Sequence, residues 1–143
     1  YLYLHDEDMA EDAVQETFLK MFRSMIDYRG DANERTYLTR IAINTCKDML
    51  RSGWFRHIDR RVTVDALPGS EEIKDPYHCD IAVAVMNLPR KLREVIILYY
   101  YQGLNTLDIA ETLNITQPAV TGRLKRARDK LKSVLKGGRI DEE

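Results

Sequence analysis

The sequence predicts an all-α fold of two small helical domains joined by a flexible linker. Three features carry that prediction. Apolar residues recur at helical spacing over most of the chain, residues 62–79 are rich in proline, glycine and acids, and residues 106–126 carry a helix-turn-helix pattern. At 143 residues with 44% hydrophobic content, the chain can bury one ordinary core or two minimal ones.

Over 8–25, Ala10, Ala13, Val14, Phe18, Met21, Phe22 and Met25 form an i, i+3, i+4 stripe expected to face a core. A second face of this helix presents Asp12, Gln15, Glu16, Leu19 and Arg23. Tyr1-Leu2-Tyr3-Leu4 reads as a helix already under way, so the chain is expected to be truncated, trimmed or disordered at its start. Tyr28-Arg29-Gly30-Asp31 breaks the first helix. The next spans about 33–51, with Leu38, Ile41, Ala42, Thr45, Cys46, Met49 and Leu50 inward and Arg40, Asn44, Lys47 and Arg51 outward. The 62–79 stretch holds Pro68, Gly69, Ser70 and Pro76 with four acids and one lysine, a composition that builds no core. It separates a first domain over 1–61 from a second over 80–137, which begins near Asp80 and is interrupted at Pro89, Gly103 and Asn114.

In the helix-turn-helix, Ile109, Ala110 and Leu113 face inward from the first helix, Ile115 plugs the corner, and Val120 and Leu124 face inward from the second. Asn114 stands at the turn, where a left-handed backbone is expected and Asn tolerates it. Asn105 with Asp108 marks a capped helix start, and Thr116 marks the next. Pro118 falls in a first turn, where its missing N–H has no partner to lose.

Charge is unevenly spread although the net charge is only −1. Residues 1–34 carry nine acids against three bases, a local charge of −6, whereas residues 118–139 carry eight bases against Asp129 alone, a local charge of +7. A basic run on the second helix of this motif points to a phosphate-binding surface on duplex DNA. A merely solvated basic face is the alternative for such a run. Gln117, Thr121 and Lys125 lie along one line of that helix and suit base contacts. Arg123, Arg126 and Arg128 are spread around it and suit phosphates.

Cys46 and Cys79 stand alone, without a Cys-x-x-Cys pair or a histidine at zinc-ligand spacing, and His78 beside Cys79 does not make a site. No cofactor or metal is expected. No apolar run reaches membrane-span length and no signal peptide is visible, so a cytoplasmic location without membrane insertion is expected. There is no nucleophile–base pair or phosphate loop, which leaves a helical enzyme without support.

Two stretches carry a family resemblance. Asp8-Met9-Ala10-Glu11-Asp12-Ala13-Val14-Gln15-Glu16-Thr17-Phe18, then Tyr28-Arg29-Gly30-Asp31 and Tyr37-Leu38-Thr39-Arg40-Ile41-Ala42-Ile43-Asn44, resemble region two of extracytoplasmic-function (ECF) sigma factors of the sigma-70 family. Leu88-Pro89, Arg93-Glu94-Val95, Gly103-Leu104, Asp108-Ile109-Ala110-Glu111 and Arg123-Leu124-Lys125-Arg126-Ala127-Arg128 resemble their region four. The chain departs from the family in three places: most of the first helix of region two is missing, Tyr37 stands where Trp is usual, and the recognition helix opens Pro118-Ala119-Val120-Thr121-Gly122.

The resemblance implies a non-enzymatic subunit that directs core RNA polymerase to promoters. It implies that Asp12, Gln15, Glu16, Leu19 and Arg23 dock on the polymerase, and that the helix-turn-helix binds double-stranded promoter DNA at the −35 element. It further implies trapping of flipped bases of the melted non-template strand by region two, where Asn44 could pair with a base edge, Tyr28 or Tyr37 could stack, and Arg40, Lys47 and Arg51 could hold phosphates. Trp54 and Phe55 could extend that contact, the acidic linker could thread the polymerase RNA channel, and an anti-sigma factor is an expected partner. A free-standing helix-turn-helix regulator with a sensing or dimerising first domain is the competing expectation.

Overall fold

A computed structural model describes residues 1–30, 33–52 and 76–137. Trp54, Phe55, Arg139 and most of the 62–79 linker lie outside the described residues. Among the described residues, six α-helices run in order: α1 (Glu7–Ser24), α2 (Glu34–Arg51), α3 (Pro76–Met86), α4 (Arg90–Ile96), α5 (Thr106–Leu113) and α6 (Gln117–Gly137). No strand occurs among the described residues, as the sequence predicts. Two compact units form, one built on α1 and α2 and the other on α3 to α6.

In the first unit, the start of the chain is not helical. Residues 2–4 form a turn, closed by the His5 N–H donating to Tyr1 O at 2.8 Å, with His5 left-handed at φ 61°. Asp6 then caps α1 by accepting from the Met9 N–H at 2.8 Å. The larger correction concerns α1 itself. Its buried residues are Met9, Ala13 and Thr17, while Val14, Phe18, Phe22 and Met25, expected in the core, are exposed, Phe22 by 76%. The helix has two stripes at helical spacing, and the small, partly polar one packs on α2 because its polar members find partners there. Lys20 Nζ donates to Thr45 Oγ1 at 3.3 Å, and the Tyr37 hydroxyl donates to Ser24 Oγ at 2.6 Å. Burying Lys20 and Ser24 without those partners would cost more than leaving Phe22 wet.

Helix α2 starts behind Asn33, whose side chain accepts from the Arg35 N–H. Thr45 is buried as expected. Ile43, which belongs to neither expected set, is buried too, and Leu38, Ile41, Ala42, Cys46, Met49 and Leu50 are half-buried. Burial pushes the Cys46 thiol up from its ordinary pKa, consistent with an unreactive free cysteine.

In the second unit, α3 starts at Pro76, inside the stretch expected to be linker and four residues before Asp80. Met86, Val95, Ile96, Leu98, Ile109, Val120, Leu124 and Ala127 form its closed core. The interruption near Gly103 is preceded by a π-helical turn, Ile97–Tyr101, and Gly103 takes φ 69°. Asn114 is left-handed at φ 53° and ends α5 as expected. Asn105 accepts from the Asp108 N–H at 2.8 Å, and Thr116 Oγ1 accepts from the Ala119 N–H at 3.3 Å, so both expected caps are made.

Among the described residues, no helix is long and apolar enough to cross a membrane, and no group of His, Cys, Asp or Glu side chains is arranged to hold a metal ion.

Candidate functional site

Met9, Ala13 and Thr17 of α1 are buried and its Lys20 and Ser24 bond to α2, while the opposite side of α1 is exposed. Val14, Gln15, Phe18, Leu19, Met21, Phe22 and Met25 line an open apolar groove of about 620 Å³. Gln15 and Leu19 therefore belong both to this groove and to the charged face read from the sequence. Asp12 and Arg23 are exposed on its flank and Glu16 is half-buried. All five residues lie on accessible turns of one helix. An exposed apolar patch of this extent, edged by charge, is the form of a protein-binding surface.

On α2, the outward residues share one side at i, i+4, i+3, i+4 spacing. Asn44 and Arg51 are exposed, whereas Arg40 and Lys47 are half-buried. Arg51 lies 3.7 Å from Asp48, which tempers its charge toward a phosphate. Tyr28 and Tyr37 stack at 4.8 Å between ring centroids, tilted by 39°, and the Tyr37 hydroxyl is taken by Ser24. The two rings are thus brought together, one pinned and the other half-exposed.

On α6, Gln117, Thr121, Lys125 and Arg126 are exposed. Thr121 bonds back to Gln117 O at 3.2 Å, and Arg126 Nε donates to Gly122 O at 3.3 Å. Gly122 carries no steric obstacle, since a Cβ there would meet only the Arg126 side chain at 3.9 Å. Arg123 departs from the expectation that it sits on the outer face. Its guanidinium pairs with Glu94 of α4 at 3.1 Å, with the two side chains 17% and 5% exposed. A cation committed to a buried carboxylate is held there by the cost of leaving either charge unpaired. Arg128 is exposed but turns toward the π-helical turn, donating to the Tyr100 hydroxyl at 3.2 Å, a bond that raises its pKa further.

Sequence reading missed two features of this unit. Buried Arg93 donates from Nη1 to Met86 O at 2.9 Å and Leu88 O at 3.3 Å, closing the end of α3. Tyr99, Tyr100 and Tyr101 are exposed in a row, and Tyr100 and Tyr101 line a second apolar groove of about 350 Å³ with Ile81, Val85, Ile96, Arg128 and Leu131. Three consecutive tyrosines beside a helix break were the available signal.

Comparison with known proteins agrees with this geometry. The sigma-70 region 2 family matches residues 1–56, and the sigma-70 region 4 family matches residues 80–131. The RNA polymerase sigma-H factor of Pseudomonas aeruginosa is 31% identical, aligned to 93% of this chain and 76% of that protein. The ECF RNA polymerase sigma-E factor of Salmonella typhimurium is 31% identical, over 82% of this chain and 69% of that protein. Solved structures are similar as well, among them the following two. CnrH, in complex with the cytosolic domain of CnrY, gives a TM-score of 0.69 at 26% identity, over 95% of this chain and 77% of that one. RpoE of Bartonella quintana, in complex with the anti-sigma factor NepR, gives 0.73 at 25% identity, over 90% and 82%. The chain thus belongs to the ECF sigma factors of the sigma-70 family, transcription initiation factors rather than enzymes.

Proposed function

We propose that this sigma factor divides its work between its two units, with a region-two domain over 1–61, a linker over 62–79 and a region-four domain over 80–137. Asp12, Gln15, Glu16, Leu19 and Arg23 dock α1 on core polymerase. The observation that carries this is their position on the side of α1 that α2 leaves free, with Leu19 half-exposed in the apolar groove and charges at its edge. An apolar patch edged by charge suits a partner that buries it and pairs its rim.

Asn44 takes a flipped base of the melted non-template strand, Tyr28 supplies a ring for stacking, and Tyr37 holds that ring in place. Arg40, Lys47 and Arg51 lie on the same side for phosphates. On α6, Gln117, Thr121 and Lys125 read base edges of the −35 element and Arg126 holds phosphate. Arg123 supports the helix from behind and Arg128 stands at the edge of this surface. We infer a cytoplasmic location, where a core polymerase partner would act. The solved relatives were captured with CnrY and NepR, and we infer an anti-sigma partner here that competes for the docking side of α1.

Photo-crosslinking tests the division. With a benzophenone side chain at position 19, the chain should crosslink to core polymerase and not to DNA. At position 125 it should crosslink to promoter duplex. A position-19 crosslink to DNA, or a position-125 crosslink to polymerase alone, would reject it.

A further inference from the structure

The first residue of α5 and the first residue of α6 are joined side chain to side chain. Gln117 Nε2 donates to Thr106 Oγ1 at 2.8 Å, across the helix-turn-helix corner. Gln117 is exposed, so this bond adds little to folding stability, yet it fixes a side chain that would otherwise sample many rotamers. Its anchor is stiff. Thr106 is β-branched and helical, and the turn that carries it is held by Asn105 accepting from the Asp108 N–H.

We infer that Thr106 is a positioning residue for sequence readout, presenting the Gln117 carboxamide to the major groove in the orientation that matches adenine. The inference rests on Gln117 reading a base. A carboxamide has one acceptor and two N–H donors. With one N–H held by Thr106, Oε1 and the other N–H remain, the acceptor–donor pair that adenine meets with its N6 amino group and N7. Guanine offers two acceptors on the same edge and cannot satisfy Oε1. The ordering cost of the side chain is met in the free protein, so it does not weaken binding.

The test uses the full chain and a pool of randomised DNA duplexes, sequenced before and after selection. The variants are Thr106→Val, Thr106→Ser, Gln117→Ala and the Thr106→Val/Gln117→Ala pair, each checked for helical content. The wild type should prefer adenine at one position, and Gln117→Ala should lose that preference. Thr106→Val should reduce the same preference by about fivefold, the worth of one neutral hydrogen bond, and leave other positions alone. Thr106→Ser, which keeps the hydroxyl, should restore it. The pair should be no worse than Gln117→Ala alone, because both changes remove one effect. If Gln117→Ala loses the preference while Thr106→Val keeps it, Thr106 does not position the reader and Gln117 still reads. The same conclusion follows if Thr106→Val weakens every sequence equally and adds to Gln117→Ala. If Gln117→Ala changes no base preference, Gln117 is not a reader and both ideas fall.

Discussion

The α3–α6 unit closes its apolar residues into a core, with Val95, Ile109, Val120 and Ala127 fully shielded, while the α1–α2 unit buries a smaller apolar set, among them Leu4, Met9 and Ile43, and leaves Val14, Phe18, Phe22 and Met25 of α1 exposed. The contrast lies in what each helix packs against. Around α6, three other helices supply apolar partners on one side. Helix α1 has one main partner, and α2 meets it with Thr45 and Tyr37, which call for Lys20 and Ser24 rather than for Phe18 or Phe22. An amphipathic pattern therefore identifies a face that needs covering, and only the neighbour decides whether this chain covers it.

The largest expected effect comes from the open unit. Reversing charge at both Asp12 and Glu16 to Arg should abolish co-purification with core polymerase and leave helical content unchanged, because neither side chain is part of a packed core. Retention at wild-type yield would remove this side of α1 from docking. The closed unit should respond in stability instead. Ile109→Ala should cost about 2–5 kcal/mol in denaturant unfolding, the range for deleting a buried aliphatic side chain. A loss below 1 kcal/mol would mean that the core is not closed as described.

Within the closed unit, function should separate from stability on the outer side of α6. Gln117→Ala and Lys125→Ala should each cost about 1–3 kcal/mol on the preferred duplex and relax sequence preference without changing the unfolding midpoint. Equal losses on matched and scrambled duplexes would place the base-reading side elsewhere. In the open unit, Asn44→Ala should leave closed-duplex binding intact and lower the fraction of open complexes by about three- to tenfold, as for one lost hydrogen bond. Permanganate reactivity of promoter thymines would measure it, and equal reactivity would exclude Asn44.

The smallest expected effect sharpens the comparison most. Phe22→Ser should change the stability of this chain by less than about 0.5 kcal/mol, since the ring is 76% exposed. A loss of 2 kcal/mol or more would show that the stripe is covered in solution and that the two units are alike after all.

These differences also explain what the sequence could convey. The helix-turn-helix was legible almost residue by residue, since its caps, its left-handed Asn114 and its inward apolar positions are local requirements of two short helices joined at a corner. Helix α1 was legible as a helix but not in its orientation, because the choice between its two stripes depends on side chains of the next helix, Tyr37 against Ser24 13 residues away and Thr45 against Lys20 25 residues away. Arg123 was misplaced for the same reason. Its partner Glu94 lies 29 residues earlier, and nothing in the spacing of α6 marks one arginine of a basic run as paired inward. The docking and melting residues were named from resemblance, and the geometry adds that most of them are accessible and share a side.

The most direct measurement is in vitro run-off transcription, with core polymerase and genomic DNA fragments of the parent bacterium, in the presence and absence of this chain. Discrete transcripts that start at shared promoter elements, require the chain and vanish with the Asp12/Glu16 charge reversal are the predicted result. Transcription no different from core polymerase alone, with the chain still binding duplex DNA, would contradict the sigma-factor reading and favour a free-standing DNA-binding regulator.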